Sequence, residues 1–243
     1  MSPLIRSRGV LLQFISVLVL AVLFSVSITS RAMAQDSTPA AGVLGTPEPT
    51  SECPAPDATP APATDAATVF TIDSENSEAR WKAQQELVGI GANEAVGKTK
   101  AFIGQVMLGE DGLPLACSRF DVDLRTIDSG EPLRDNTLQT STLETDQFPL
   151  ATFILTSVEG LDQLPADGEE ATVRLVGTLS FHDVTKLVAW DANFKIDGDT
   201  LSGNATTNFK MSDYNIEPPT VGPVLSIDET VALEIDVTAK KAS

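Results

Sequence analysis

From Thr68 to the C-terminus, apolar and polar residues alternate with a period of two. Ala79, Trp81 and Ala83 alternate with Arg80, Lys82 and Gln84. Phe120, Val122 and Leu124 alternate with Arg119, Asp121 and Asp123. The same rhythm puts Val173, Leu175, Gly177, Leu179 and Phe181 on one face, and Val188, Trp190, Ala192, Phe194 and Ile196 on another. Leu201, Gly203, Ala205 and Phe209 continue it, and Val231, Leu233, Ile235 and Val237 close it. Alternation sustained this way predicts strands with one wet and one dry face. Gly109-Glu110-Asp111-Gly112, Ala166-Asp167-Gly168 and Asp197-Gly198-Asp199 punctuate the pattern. Asp-Gly pairs suit tight antiparallel hairpins, so about eight antiparallel strands are expected. Between Pro132 and Thr145 the apolar residues thin to Leu133, Leu138 and Leu143. Pro132 at a first helical turn, with Glu131 and Asp135 beside it, predicts one short helix. An all-β chain with a single helix folds as a sandwich or a closed barrel, and an eight-strand barrel can enclose one small ligand.

The N-terminal third departs from this rhythm. Arg6 and Arg8 precede an almost purely apolar run from Val10 to Ile28, followed by Ala32-Met33-Ala34. Residues 1–34 are therefore expected to be a secretory signal, cut before Gln35. The alternative is an uncleaved anchor, because the run just reaches spanning length. After cleavage no stable membrane insertion is expected, and the chain is read as secreted or extracytoplasmic. Residues 35–67 hold seven of the 15 prolines. Proline removes donors and fixes φ, so this segment is expected to be an extended, disordered linker. The folded domain is expected over residues 68–243.

Composition then narrows the function. The chain carries 16 Lys plus Arg against 34 Asp plus Glu, a formal charge of −18. No basic run appears, which argues against nucleic acid as a partner. One histidine and two cysteines fall short of the common zinc patterns, and no metal or other cofactor is expected. Cys53 lies in the linker and Cys117 in a predicted strand. Outside the cytosol two thiols tend to pair, so a Cys53–Cys117 bridge is a candidate, alongside two separate thiols.

Several stretches resemble the YceI-like family. Thr126-Ile127-Asp128-Ser129-Gly130-Glu131-Pro132-Leu133-Arg134-Asp135-Asn136-Thr137-Leu138 is similar to its strand, Asp-Ser/Thr-Gly turn, Arg-Asp and helix signature. Phe148-Pro149-Leu150-Ala151-Thr152-Phe153 fits the approach to the next strand. Leu179-Ser180-Phe181-His182-Asp183-Val184-Thr185-Lys186 and Ser212-Asp213-Tyr214-Asn215-Ile216 resemble two further marks. The resemblance runs from about Phe70 to Ala239. The chain departs from it at Asp183 and Asn215, where glycine is usual, and at Met211, where arginine is frequent. Asp and Asn tolerate positive φ next best after glycine, so the turns can survive. What the resemblance implies is a lipocalin-like antiparallel closed barrel around an elongated apolar cavity, binding isoprenoid lipids, quinones or related amphiphiles.

The resulting expectation is a non-enzymatic binding protein. Its candidate cavity wall is Trp81, Phe120, Phe153, Phe181, Trp190, Phe194, Phe209 and Tyr214. Small inward residues at Gly177, Gly203, Ala192 and Ala205 are expected to leave room. Arg134 and Asp135 are read as structural, with Asp135 near the helix N-terminus and Arg134 paired to a carboxylate across the barrel. His182 is read as a turn residue, since no G-x-S-x-G elbow or other nucleophile partner is present. Acidic turns at Glu110-Asp111 and Asp197 to Asp199 lack a calcium-loop spacing. The rival reading is a structural or interaction barrel with a filled core. Whether the chain is a monomer or a dimer stays open.

Overall fold

The computed structural model describes residues 41–45, 65–219 and 222–242, all within the compact unit Pro39–Ser243. The alternating segments form antiparallel strands: β1 Gly42–Gly45, β2 Thr68–Ile72, β3 Glu78–Leu87, β4 Gly91–Thr99, β5 Phe102–Leu108 and β6 Arg119–Asp123. After a helix, α1 Pro132–Thr137, come β7 Leu150–Glu159, β8 Glu170–Phe181, β9 Val184–Asp197, β10 Thr200–Lys210 and β11 Val224–Lys241. A wider π turn, Leu138–Thr142, prolongs α1.

The strands close into an eight-stranded barrel. Two staves are each built from a pair of short strands. Long β11 pairs with β3 over its first part and with β2 near its end, while β4 pairs with β3 and β5 with β2. The β2/β3 stave bends where Ser77 is buried; its hydroxyl donates to the Asp73 carbonyl (2.8 Å) and accepts from the Thr238 N–H (3.0 Å). Counting each pair as one, every stave neighbours the next in sequence, and β11 against β2/β3 closes the ring. Closure pairs most strand edges; β4 keeps a single ladder, to β3, with one isolated Lys98–Asp128 bridge on its other side. Among the described residues, the one α-helix and the antiparallel barrel match the sequence reading.

The tight turns explain the register. His182 and Asp183 both adopt positive φ, 50° and 57°, and join β8 to β9 with Phe181 opposite Val184. His and Asp are among the few non-glycine residues that tolerate this region, and a turn with two such residues matches the strand twist. Asn215, φ 55°, likewise keeps the left-handed conformation without glycine.

The linker expectation needs one correction. Residues 42–45 do not remain outside the fold: β1 pairs with Leu187–Ala189 of β9. That is where β10, which pairs with β9 over Asp191–Asp197, has splayed away. Thr207 Oγ1 donates to the Ala189 carbonyl (2.7 Å), and Asn208 Nδ2 to the Ala41 carbonyl (3.3 Å). Val43 reaches the main core. The physical reason is local. Between Pro39 and Pro47 the chain carries no proline, so its donors are intact, and Val43-Leu44 supplies apolar area. The signal-sequence reading of residues 1–34, linker residues 35–40 and 46–64, and Cys53 lie outside the described residues.

Candidate functional site

The barrel is not filled. A cavity of about 660 Å³ runs inward from the end marked by the β3–β4 hairpin, α1 and the start of β11. Alternation aims every second residue of each strand inward, and cross-strand register stacks them into rows. Ala83 lies opposite both Ala95 and Val231, and Trp81 opposite Gly97 and Leu233. Small side chains supply the room, Ala79 and Ala83 on β3, Ala95 on β4 and Ala151 on β7. Gly97 acts differently. A Cβ there would lie 2.2 Å from Trp81 Nε1, so its bare backbone seats the indole. Ile90 and Leu133 line the mouth and are largely exposed.

Six of the eight expected wall residues border this cavity: Trp81, Phe120, Phe153, Phe181, Trp190 and Phe209. Two do not. Phe194 has the inward parity of Trp190 but lies farther along β9, where it borders a separate cavity of about 110 Å³. Tyr214 stands behind the wall. Its ring stacks on Phe181 at 4.0 Å, meets Phe209 edge-on at 5.2 Å, and its hydroxyl donates to the Leu179 carbonyl (3.4 Å). It is fully buried, and that burial raises its phenol pKa well above the usual value. Its helical turn, Met211–Tyr214, follows β10, so strand parity does not govern it. The room expected at Gly177 and Gly203 is also not there. A Cβ at Gly177 would strike Phe153 at 2.6 Å and the Ile154 carbonyl at 2.3 Å; one at Gly203 would strike the Asn193 carbonyl at 2.4 Å. Ala192 and Ala205, with Gly203, border the smaller cavity.

The mouth also carries polar groups, and Arg134 sits there. It does not reach a carboxylate across the barrel. Its Nε donates to Ser129 Oγ (2.8 Å) and its terminal nitrogen to the Ser129 carbonyl (2.9 Å). Asp135 accepts from the Ser129 N–H (3.1 Å) and from the Ser129 hydroxyl. The two charged neighbours thus converge on one serine in the preceding turn. A guanidinium with such local acceptors and a carboxylate beside it needs no partner across the lumen. The arrangement fastens α1 over the end of the barrel.

His182 borders neither cavity. Its Nδ1 lies 3.0 Å from the Tyr214 carbonyl and Nε2 3.4 Å from Glu144, with Phe148 edge-on to the ring at 5.1 Å. It ties the β8–β9 turn to two loops. On the outer face, Lys82 meets Glu234 at 2.6 Å, and Arg80 bonds Glu78, Glu234 and Asp236. The Lys82 hydrogen bond, with Arg80 adding to it, holds the Glu234 carboxyl below the usual range. Among the described residues no three His, Cys, Asp or Glu side chains gather as a metal site, and no helix is long and apolar enough to cross a membrane. Cys117 is disulfide-bonded; its candidate partner Cys53 lies outside the described residues.

Sequence reasoning missed Phe102, Met211 and Ile216, which also line the main cavity. Phe102 was detectable, because Phe102, Val106 and Leu108 keep one parity. Met211 and Ile216 lie outside the strands, and no periodic signal marks them.

Residues 70–239 match the YceI-like domain family. The chain belongs to the YceI-like family. A UPF0312 protein of Pseudomonas putida strain F1 is 29% identical over 183 residues, covering 71% of this chain and 86% of the relative. Among solved structures, a polyisoprenoid binding domain from Saccharophagus degradans, implicated in plant cell wall breakdown, has a TM-score of 0.57 at 16% identity; the match covers 71% of this chain and 98% of that one. BcnA of Burkholderia cenocepacia has a TM-score of 0.55 at 17% identity, covering 70% and 99%. At these identities the YceI-like barrel is what the structures share.

Proposed function

We propose that this YceI-like protein is an exported, non-enzymatic carrier that holds or sequesters an apolar amphiphile of the polyisoprenoid or quinone class inside its barrel. The observation that carries the reading is the open lumen of about 660 Å³ with a wall made chiefly of apolar side chains. That volume is within the range of small-molecule sites. Trp81, Phe120, Phe153, Phe181, Trp190 and Phe209 are the proposed contact surface. An apolar chain leaving water for this wall gains about 0.8 kcal/mol per buried methylene. A polar headgroup is accommodated at the mouth, where Ser129, Glu131 and Arg134 stand. Similarity to a barrel described as polyisoprenoid-binding supports the class, and the A-x-A motif after the apolar N-terminal run supports export. The rival filled-core barrel has no use for a lumen of this size.

The test is native purification, organic extraction and mass spectrometry of what co-purifies. The carrier reading expects a prenyl or quinone species near one equivalent per chain. It fails if the protein is clean and neither its thermal midpoint nor its tryptophan emission changes when long-chain quinones are added.

A further inference from the structure

The lumen is divided. Phe102, Phe120, Phe153, Trp190 and Ile235 border both the 660 Å³ cavity and the 110 Å³ cavity beyond it. The four rings come from β5, β6, β7 and β9, and they form a continuous ladder. Phe102 lies 5.9 Å from Phe120, Phe120 6.3 Å from Phe153, and Phe153 5.9 Å edge-on from Trp190. Phe120 and Phe153 face each other in register. Their positions rest on bare backbone. Phe153 lies where a Cβ of Gly177 would come within 2.6 Å, and Phe120 lies where a Cβ of Gly104 would come within 3.1 Å. β8, the one stave between β7 and β9, thus contributes a glycine where the ladder crosses it. Phe102, Phe153 and Trp190 are buried. The smaller cavity beyond has almost no polar lining and includes Leu108, Leu201 and Val237.

We propose that this ring ladder is a floor that sets the chain length of the ligand, stopping it at about four prenyl units. The proposal rests on the carrier reading and adds to it a limit on length. At about 30 Å³ per water-sized group, the upper chamber takes on the order of 20 non-hydrogen atoms and the lower about four. Four prenyl units thus fill the upper chamber, and the lower one adds less than one unit. A longer chain meets the rings and leaves its excess at the mouth, in water, where it gains nothing. Phe153 is the specificity-determining residue, because its ring bridges Phe120 and Trp190 and covers the gap over Gly177.

The experiment is a titration of tryptophan emission with isoprenols of two, three, four, six and eight prenyl units. It uses the full exported chain and its Phe153→Leu and Phe120→Leu variants; the second variant serves if the first does not fold. For the wild type, affinity is expected to tighten with length, by up to roughly fourfold per buried methylene, and to level off at about four units. In either variant the rise should continue past four units, by up to about one further unit. The floor is overturned if wild-type affinity keeps tightening from four to eight units, or if a folded variant levels off at the same length as the wild type. A wild type that binds no isoprenol of any length overturns the carrier reading itself, a result distinct from binding without a length limit.

Discussion

Replacing Gly97 with alanine should separate the cavity from the framework that surrounds it. A Cβ at position 97 would lie 2.2 Å from Trp81 Nε1, 2.6 Å from Cε2 and 2.9 Å from Cζ2. Ordinary contact requires the indole to retreat by about 1 Å. Trp81 borders the open lumen, so the ring has space to move into. Overpacking costs about 1–3 kcal/mol, and here the lower end is expected, because the struck atoms belong to a side chain beside a void. At roughly 2–4 °C per kcal/mol for a chain of this size, the thermal midpoint should fall by only a few degrees. Gly203→Ala is the contrast. Its Cβ would lie 2.4 Å from the Asn193 carbonyl and 3.1 Å from Phe194 Cα, which are backbone atoms of β9 paired with β10. Strand pairing holds those backbone atoms in place, so the small cavity that Gly203 borders does not relieve the clash, and the upper end of the range is expected. Thermal unfolding by circular dichroism measures both variants. In a Trp190→Phe background Trp81 is the sole tryptophan, so its emission reports the displacement, and isoprenol affinity should weaken in Gly97→Ala as the lumen narrows. The reasoning is refuted if Gly97→Ala costs as much stability as Gly203→Ala, or if Trp81 emission is unchanged.

Ionisation and cross-linking give three further expected outcomes. Tyr214 is the single tyrosine, and burial raises its phenol pKa; the unfolded chain ionises this group near pH 10 while the native state keeps the proton, so stability should fall as pH rises above about 10. Absorbance titration should show tyrosinate only as the fold is lost, and early, reversible ionisation in native protein would contradict the burial. Glu234, held below the usual range by Lys82 and Arg80, acts at the other end: its contribution is present above about pH 4 and is lost as pH falls through the lowered native value, and Glu234→Gln should flatten that part of an acid-unfolding curve. Non-reducing peptide mapping of exported protein should join the Cys53 and Cys117 peptides, closing a loop of about 65 residues that contributes roughly 4 kcal/mol at most; two free thiols would end that pairing.

Much of the barrel was legible along the chain because its cause is local. Period-two alternation puts Trp81, Phe120, Phe181, Trp190 and Phe209 on the dry face whatever the strands pair with, since side chains of a strand alternate by geometry; Phe153 came from the family resemblance, because its own segment is apolar on both parities. The Asp-Gly turns and the His182-Asp183 turn set antiparallel neighbours for the same kind of reason. Parity says which face, not which height. Phe194 shares the parity of Trp190, yet the ring ladder lies between it and the main lumen. Tyr214 left the pattern altogether on a helical turn and became support for Phe181. Whether inward residues meet at the axis or leave a lumen depends on distances across the barrel, which closure alone decides. For that reason Ala79, Ala83, Ala95 and Ala151 make space, while Gly97, Gly104 and Gly177 are occupied by rings from neighbouring strands. The same holds for β1: intact donors at residues 42–45 permitted a strand, but only the splaying of β10 from β9 supplied an edge for it. The sequence pattern by itself thus determined antiparallel strands with a dry aromatic face, and the YceI-like resemblance implied their closure into a barrel. The tertiary structure alone decided that this face encloses a lumen with a floor, because volume and height are properties of strands brought together and no single strand carries them.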